Sequence, residues 1–180
     1  MRIGVVGDTH IPEQSLVLPA RVAEVFQSVD VILHVGDICE LNVLEELQET
    51  YTLTFAVWGE GDTREVRRYL DEKRVVQLGD RRVGMLHSHQ YVEVANKGWR
   101  GLRHLFSRPR SSGSLHDFLV GQFAGEGVDV IVFGHTHEPK VWTHKGVLLF
   151  NPGAAVPGHR PSVGILEIES DRIAGEIVYL

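Results

Sequence analysis

Val128-Asp129-Val130-Ile131-Val132-Phe133-Gly134-His135-Thr136-His137 is an apolar run that halts at a glycine and hands over to two imidazoles at alternate positions. A short apolar run bounded in this way reads as a strand buried on both faces. Two histidines just beyond such a strand are costly to keep there without partners, which makes two solvated loop histidines the weaker reading. Working outward, the same strand-then-motif pattern recurs. Residues 3–6 lead into Asp8-Thr9-His10, 31–35 into Gly36-Asp37, and 53–57 into Gly59-Glu60-Gly61-Asp62. Residues 83–86 lead into His87-Ser88-His89, and 147–150 into Asn151-Pro152-Gly153. In open α/β sheets, ligands collect just outside the carboxyl ends of the strands. Aspartate and histidine are metal-ligand types, and five such loops meeting on one rim would supply donors for two cations.

The segments between the strands fix the layering. Helical spacing is predicted over 19–27, with Val22, Val25 and Phe26 on one face, and over 42–49, with Val43, Leu44 and Leu47 buried. A short helix is predicted over 63–70 and a longer one over 114–124. Strands separated by helices of this length imply right-handed βαβ units and a parallel sheet. The second half changes character. Residues 74–78 and 81–86 read as a hairpin about Gly79-Asp80, 140–144 turns at Lys145-Gly146 into the next strand, and 162–168 turns near Ser170-Asp171. The expected architecture is an α/β fold, an αββα four-layer sandwich of two mixed β-sheets flanked by helices, the second sheet being the more antiparallel. No repeat or domain boundary is visible, so residues 1–180 are read as one domain with an irregular basic insert at about 91–113.

Composition narrows the function classes. Apolar residues make up 43% and charged residues 23%, ordinary values for a globular chain. A net charge of −6 argues against nucleic-acid binding by the surface as a whole. Cys39 is the only cysteine, which excludes an intrachain disulfide and points to a reducing compartment. With no basic-then-apolar leader and no run of membrane-spanning length, a cytoplasmic protein without membrane attachment is expected.

Individually the motifs are weak. Asp-x-His can be a capped turn, and Gly79-Asp80 shows that Gly-Asp is often only a hairpin turn. Their order is specific. Asp-x-His, Gly-Asp, a Gly-Asn-x-Asp-like segment, His-x-His, Gly-His-x-His and Asn-Pro-Gly resemble, in sequence order, the calcineurin-like metallophosphoesterases, from Arg2 to Val178. The length and the Gly-His-Thr-His-x-Pro form are similar to the small bacterial and archaeal phosphodiesterase branch, the YfcE type. That branch also contains a retromer scaffold subunit, which uses the fold without catalysis.

The resemblance implies a metal-dependent phosphodiesterase acting on small phosphate esters through a hydroxide that bridges two metal ions. Asp8, His10 and His137 would hold one ion, His87 and His135 the other, and Asp37 would bridge them. Catalytic roles fall to Asp37, His135 and His89, although His89 would either contact substrate or support its loop. Manganese is the first expectation, with iron, nickel and zinc also suited to such donors. Asn151 would lie beside the site or simply turn the chain, and His34, on a buried strand, is expected to be a core histidine.

Two positions depart from the pattern. Glu60 stands where the family has a ligating asparagine. Ligation there would add a negative charge, cancelling about one unit of positive charge in the site, while the alternative is a Glu60 turned away. Gly61 stands where larger members carry a histidine that assists the leaving group. General-acid help is worth about 10²–10⁴-fold, so a steep preference for good leaving groups is expected. Ser88 replaces a glycine common in relatives.

Residues 94–116 carry Lys97, Arg100, Arg103, Arg108 and Arg110 and no acid. With Trp99, Leu102, Leu105 and Phe106, this stretch reads as a packed amphipathic turn, a homo-oligomer contact, or a lid whose arginines meet phosphate. A nuclease would need a basic track, which only this stretch offers. The rival from a different class is a catalytically silent protein-binding scaffold on the same fold.

Overall fold

The computed structural model describes residues 1–91, 114–156 and 160–180. The readings placed on residues 92–113 therefore lie outside the described residues. Among the described residues, ten strands form two five-stranded sheets. In the first, β1 (Arg2–Val6), β2 (Val31–His34) and β3 (Thr54–Ala56) run parallel. On its other side β9 (Ser162–Ile168) pairs antiparallel with β1, and β10 (Ile173–Tyr179) antiparallel with β9. In the second, β5 (Arg81–Leu86), β6 (Val130–Phe133) and β8 (Val147–Asn151) run parallel, between antiparallel edge strands β4 (Lys73–Leu78) and β7 (Lys140–His144).

The second sheet is therefore no more antiparallel than the first, which corrects the expectation. The hairpin signal at Lys145-Gly146 correctly joins β7 to β8. It carries no information about which of the two lies inward, and β8 is the strand that pairs with β6.

Alternation along the strands builds the layers. Ile3, Val5, Leu33 and Val35 of the first sheet and Val83, Met85, Val130, Val132 and Phe150 of the second meet in the core between the sheets. The opposite faces also bury apolar residues, because helices cover them. Val6, Ile32 and Ile165 pack against α1 (Ala20–Phe26), α2 (Leu41–Thr50) and α3 (Arg64–Tyr69) through Val22, Phe26, Val43, Leu44, Leu47 and Val66. Leu86, Ile131, Phe133 and Leu149 pack against Leu119 of α4 (Leu115–Gln122) and Phe123 beyond it. This is the αββα sandwich. Among the described residues, no helix is long and apolar enough to cross a membrane.

Candidate functional site

The carboxyl ends of the two parallel trios face one rim. The loops after β1, β2 and β3 bring Asp8, His10, Asp37 and Glu60, and those after β5 and β6 bring His87, His89, His135 and His137. Backbone bonds knit the first two loops together, Asp8 N–H donating to Gly36 O (3.0 Å) and His10 N–H to Asp37 O (3.0 Å). Four of these five loops, all but the one after β3, reverse sharply. Asp8, His10, Asp37, Cys39, Ser88, His135 and His137 all adopt positive φ, a conformation that L-residues other than glycine rarely take. Such strain clusters where the surrounding structure holds it for function.

The ionisable atoms converge in two groups about Asp37. On one side stand Asp8, His10 and His137, and on the other Glu60, His87 and His135. Asp37 Oδ2 lies between, 3.6 Å from His10 Nε2 and 3.3 Å from His87 Nε2. In the first group His137 Nε2 is 3.3 Å from Asp8 Oδ1 and 3.5 Å from His10 Nε2. In the second, Glu60 sends Oε2 to within 3.1 Å of His87 Nε2 and Oε1 to within 2.6 Å of His135 Nδ1. Glu60 therefore does not turn away. Asp8 and His87 are fully buried, whereas the His137 side chain is 43% exposed and marks the open side of the rim.

These residues suit cations. His87 donates from Nδ1 to Val35 O (2.8 Å), which points the Nε2 lone pair into the site. That Nε2 is buried, meets no hydrogen-bond partner among the described residues, and faces Asp8, Asp37 and Glu60. Mixed imidazole and carboxylate donors suit manganese, iron, nickel and zinc alike. The electrostatics agree. Burial disfavours a charged His87, yet the close carboxylates of Asp37, Glu60 and Asp8 outweigh it and hold the group well above the ordinary imidazole range. Burial would raise Glu60, but the close imidazoles of His135 and His87 hold its carboxyl well below the usual range. Asp37 is likewise lowered, burial being outweighed by His87 and by the Gly61 N–H. The hydrogen bond to Asp8 raises His137. The pocket attracts positive charge from every side.

A set of polar ties, mostly invisible in the sequence, holds these groups. Asp62 accepts from Ile38 N–H (2.7 Å) and Cys39 N–H (2.6 Å) with Oδ1 and from Gly59 N–H (2.6 Å) with Oδ2, binding the Asp37 loop to the Glu60 loop. Gly61 N–H donates to Asp37 Oδ1 (2.7 Å). His34 is fully buried, as expected of a core histidine, and burial pushes its imidazole down to about 3. Its Nδ1 accepts from Gly36 N–H (3.3 Å), so its Nε2–H points to Thr9 Oγ1 (3.2 Å), whose hydroxyl donates to Asp37 O (3.2 Å). Asn151 both caps its turn through Gly153 N–H (2.8 Å) and donates to Thr136 Oγ1 (3.0 Å), steadying the Gly-His-Thr-His loop. Ser88, at φ +77°, donates to Gly134 O (3.1 Å).

His89 stands apart from the convergence. It is buried beside Trp58 (ring centroids 5.2 Å apart), with Nδ1 3.6 Å from Glu60 and Nε2 3.6 Å from Glu72. Asp62 was visible as the end of Gly59-Glu60-Gly61-Asp62, but its three amide donors depend on loop conformations that no local pattern encodes. His34 and Thr9 act by the same kind of tie.

Comparison with known proteins agrees with this geometry. Residues 1–171 match the calcineurin-like phosphoesterase superfamily domain. A probable metallophosphoesterase of Methanothermobacter thermautotrophicus is 32% identical over 180 residues, covering 99% of this chain and 92% of that protein. Among solved structures, Entamoeba histolytica Vps29 complexed with Zn2+ superposes with a TM-score of 0.69 at 21% identity, covering 99% of both chains. A predicted phosphoesterase from Streptococcus pneumoniae gives 0.67 at 19% identity, covering 99% of this chain and 88% of that one. At these identities the two structures speak to the fold alone. The ordered motifs, the two converging donor groups and the match along almost the whole chain carry one conclusion: the chain belongs to the calcineurin-like phosphoesterase superfamily.

Proposed function

We propose that residues 1–180 form a single metal-dependent phosphodiesterase domain acting on small phosphate esters. In this reading Asp8, His10 and His137 would hold one divalent cation, Glu60, His87 and His135 would hold a second, and Asp37 would serve both. The observation that carries it is the position of Asp37 Oδ2 between His10 Nε2 and His87 Nε2, with a complete donor group on each side. Two bound cations would supply Lewis acidity toward phosphate oxygens and would make bound water more acidic. Manganese is favoured on family resemblance.

The protein's own part is orientation. Val35 O fixes the His87 tautomer, Gly61 N–H fixes Asp37 by its Oδ1, and His135 N–H contacts both Asp8 oxygens at 3.2 Å. The partly exposed His135 and His137 line the open side, where an ester would enter. His89, enclosed by Trp58, Glu60 and Glu72, supports its loop in this reading rather than touching substrate.

The test is manganese-dependent hydrolysis of bis(4-nitrophenyl) phosphate by wild type, His87→Ala and Glu60→Asn, with bound metal counted per chain. Two ions per wild-type chain and a loss of about a hundredfold or more in His87→Ala are expected, since even partners of ligands are worth 10–100-fold. Glu60→Asn should bind its second ion more weakly. One ion or none in wild type, with no turnover under any divalent cation, would make a protein-binding scaffold the better reading.

A further inference from the structure

Resting on the metal-site reading above, we propose that Arg67, outside every ligand motif, is the positioning residue that holds the Glu60 carboxylate toward His87 and His135, working through the Trp58 ring and the backbone of residues 60–62.

Arg67 lies on α3, one turn past the loop that carries Glu60. Its guanidinium reaches back to that loop with both arms of its fork. Nε–H donates to Asp62 O (2.9 Å), and Nη2 donates to Glu60 O. The bonds go to the Glu60 backbone, so the carboxylate stays directed at His87 Nε2 and His135 Nδ1. A salt bridge to the carboxylate itself would have drawn it out of the site. The flat guanidinium also lies over the Trp58 ring, 5.0 Å from its centroid. Trp58 stacks in turn against His89, whose Nδ1 faces Glu60 Oε2. Arg67 thus braces the loop directly through two carbonyls and indirectly through two rings.

The segment needs a brace. Glycines at 59 and 61 leave its backbone conformationally loose. The donor side of the segment is already engaged, since Gly59 N–H and Gly61 N–H serve Asp62 and Asp37. Arg67 holds the acceptor side. A lysine would present a point charge in place of the planar fork and would not hold both carbonyls.

The experiment uses the full chain in two states. In chelator-treated protein, amide hydrogen exchange of residues 59–62 is compared between wild type, Arg67→Lys and Arg67→Ala. Manganese titration then measures both binding events in the same proteins and in Glu60→Gln and Arg67→Ala/Glu60→Gln. Faster exchange at 59–62 is expected in Arg67→Ala, with affinity at one of the two ions falling about 10–100-fold, as for other partners of ligands, and the second ion unaffected. Arg67→Lys should recover only part of both. In the Glu60→Gln background, Arg67→Ala should add little further loss. Unchanged exchange, equal loss at both ions, or losses that simply add to those of Glu60→Gln would overturn the inference. A wild type that takes up no manganese, with exchange still faster in Arg67→Ala, would instead overturn the metal reading and leave the brace supported.

Discussion

Acidification of the metal-free protein should destabilise it through His34, by an amount that the structure sets. His34 is fully buried and holds one hydrogen bond at each ring nitrogen as a neutral imidazole. Burial, aided by the nearby charge of His87, lowers it from 6.5 to about 3. The folded-state value is depressed, so the unfolded chain binds the proton first. Stability is full above about pH 6.5 and falls as pH drops toward 3. Each unit costs about 1.4 kcal/mol, so about 3 kcal/mol should be gone by about pH 4.5. Asp37 and Glu60, both lowered, also lose stability in acid, so the His34 share must be isolated by difference. His34→Leu leaves Gly36 N–H without its acceptor, a pH-independent cost of about 2 kcal/mol. Wild type should therefore be the more stable by about 2 kcal/mol at about pH 7, the two should meet near pH 5, and the variant should lead below that. Urea unfolding in chelator at half-unit pH steps measures this. A gap between the two proteins that does not change from pH 7 to 4.5 would refute a buried neutral His34.

Two other outcomes follow from the site. A Cβ at Gly59 would stand 2.6 Å from His87 Cδ2 and closer still to Asp37 Oδ1. Gly59→Ala should therefore cost about 1–3 kcal/mol by overpacking and abolish tight metal uptake, both read from thermal unfolding with and without manganese; Gly121→Ala, where a Cβ meets nothing within 4 Å, is the control. Gly61 can supply no side-chain proton to a departing alkoxide, so rates should fall steeply from aryl to alkyl phosphodiesters; a flat series of kcat/KM values against leaving-group pKa would show that another group donates the proton.

What the sequence made legible was whatever repeats along a chain. Apolar runs halted by Gly, Asp, His or Asn motifs placed six strands and the rim they share, because burial on both faces forces such runs and ligands gather at their ends, and hairpin turns placed three more. Helix faces such as Val43, Leu44 and Leu47 followed from spacing alone. What stayed hidden depends on where distant loops end up. That β8 rather than β7 pairs with β6 is decided by packing against Phe150 and its neighbours, not by the turn. The direction of Glu60 depends on His135 arriving from the other sheet. The roles of Asp62, His34 and Thr9 are acceptor and donor counts for backbone groups, and such counts exist only once the loops are folded.

The rim also shows why so polar a cluster needs so apolar a support. Of the non-glycine residues with positive φ among those described, all but Lys145, which sits in a hairpin turn, belong to the loops that carry the donors. Each left-handed residue costs about 1–2 kcal/mol, a debt the rest of the structure must cover. The loops cannot relax, because the strands they leave are locked into the core and because Asp62, His34, Thr9 and Asn151 occupy their backbone amides and carbonyls. Asp8, Asp37 and Glu60 add mutual repulsion to that strain, since their carboxylates crowd around the single Nε2 of His87. A cation is the species that relieves the repulsion without disturbing the hydrogen bonds. The same arrangement predicts the order of events on loading: the scaffold is built before the metal, so uptake should raise the unfolding temperature while leaving the circular dichroism of the apo protein unchanged. A gain of secondary structure on adding manganese would mean instead that the loops, and the strain in them, form only around the ion.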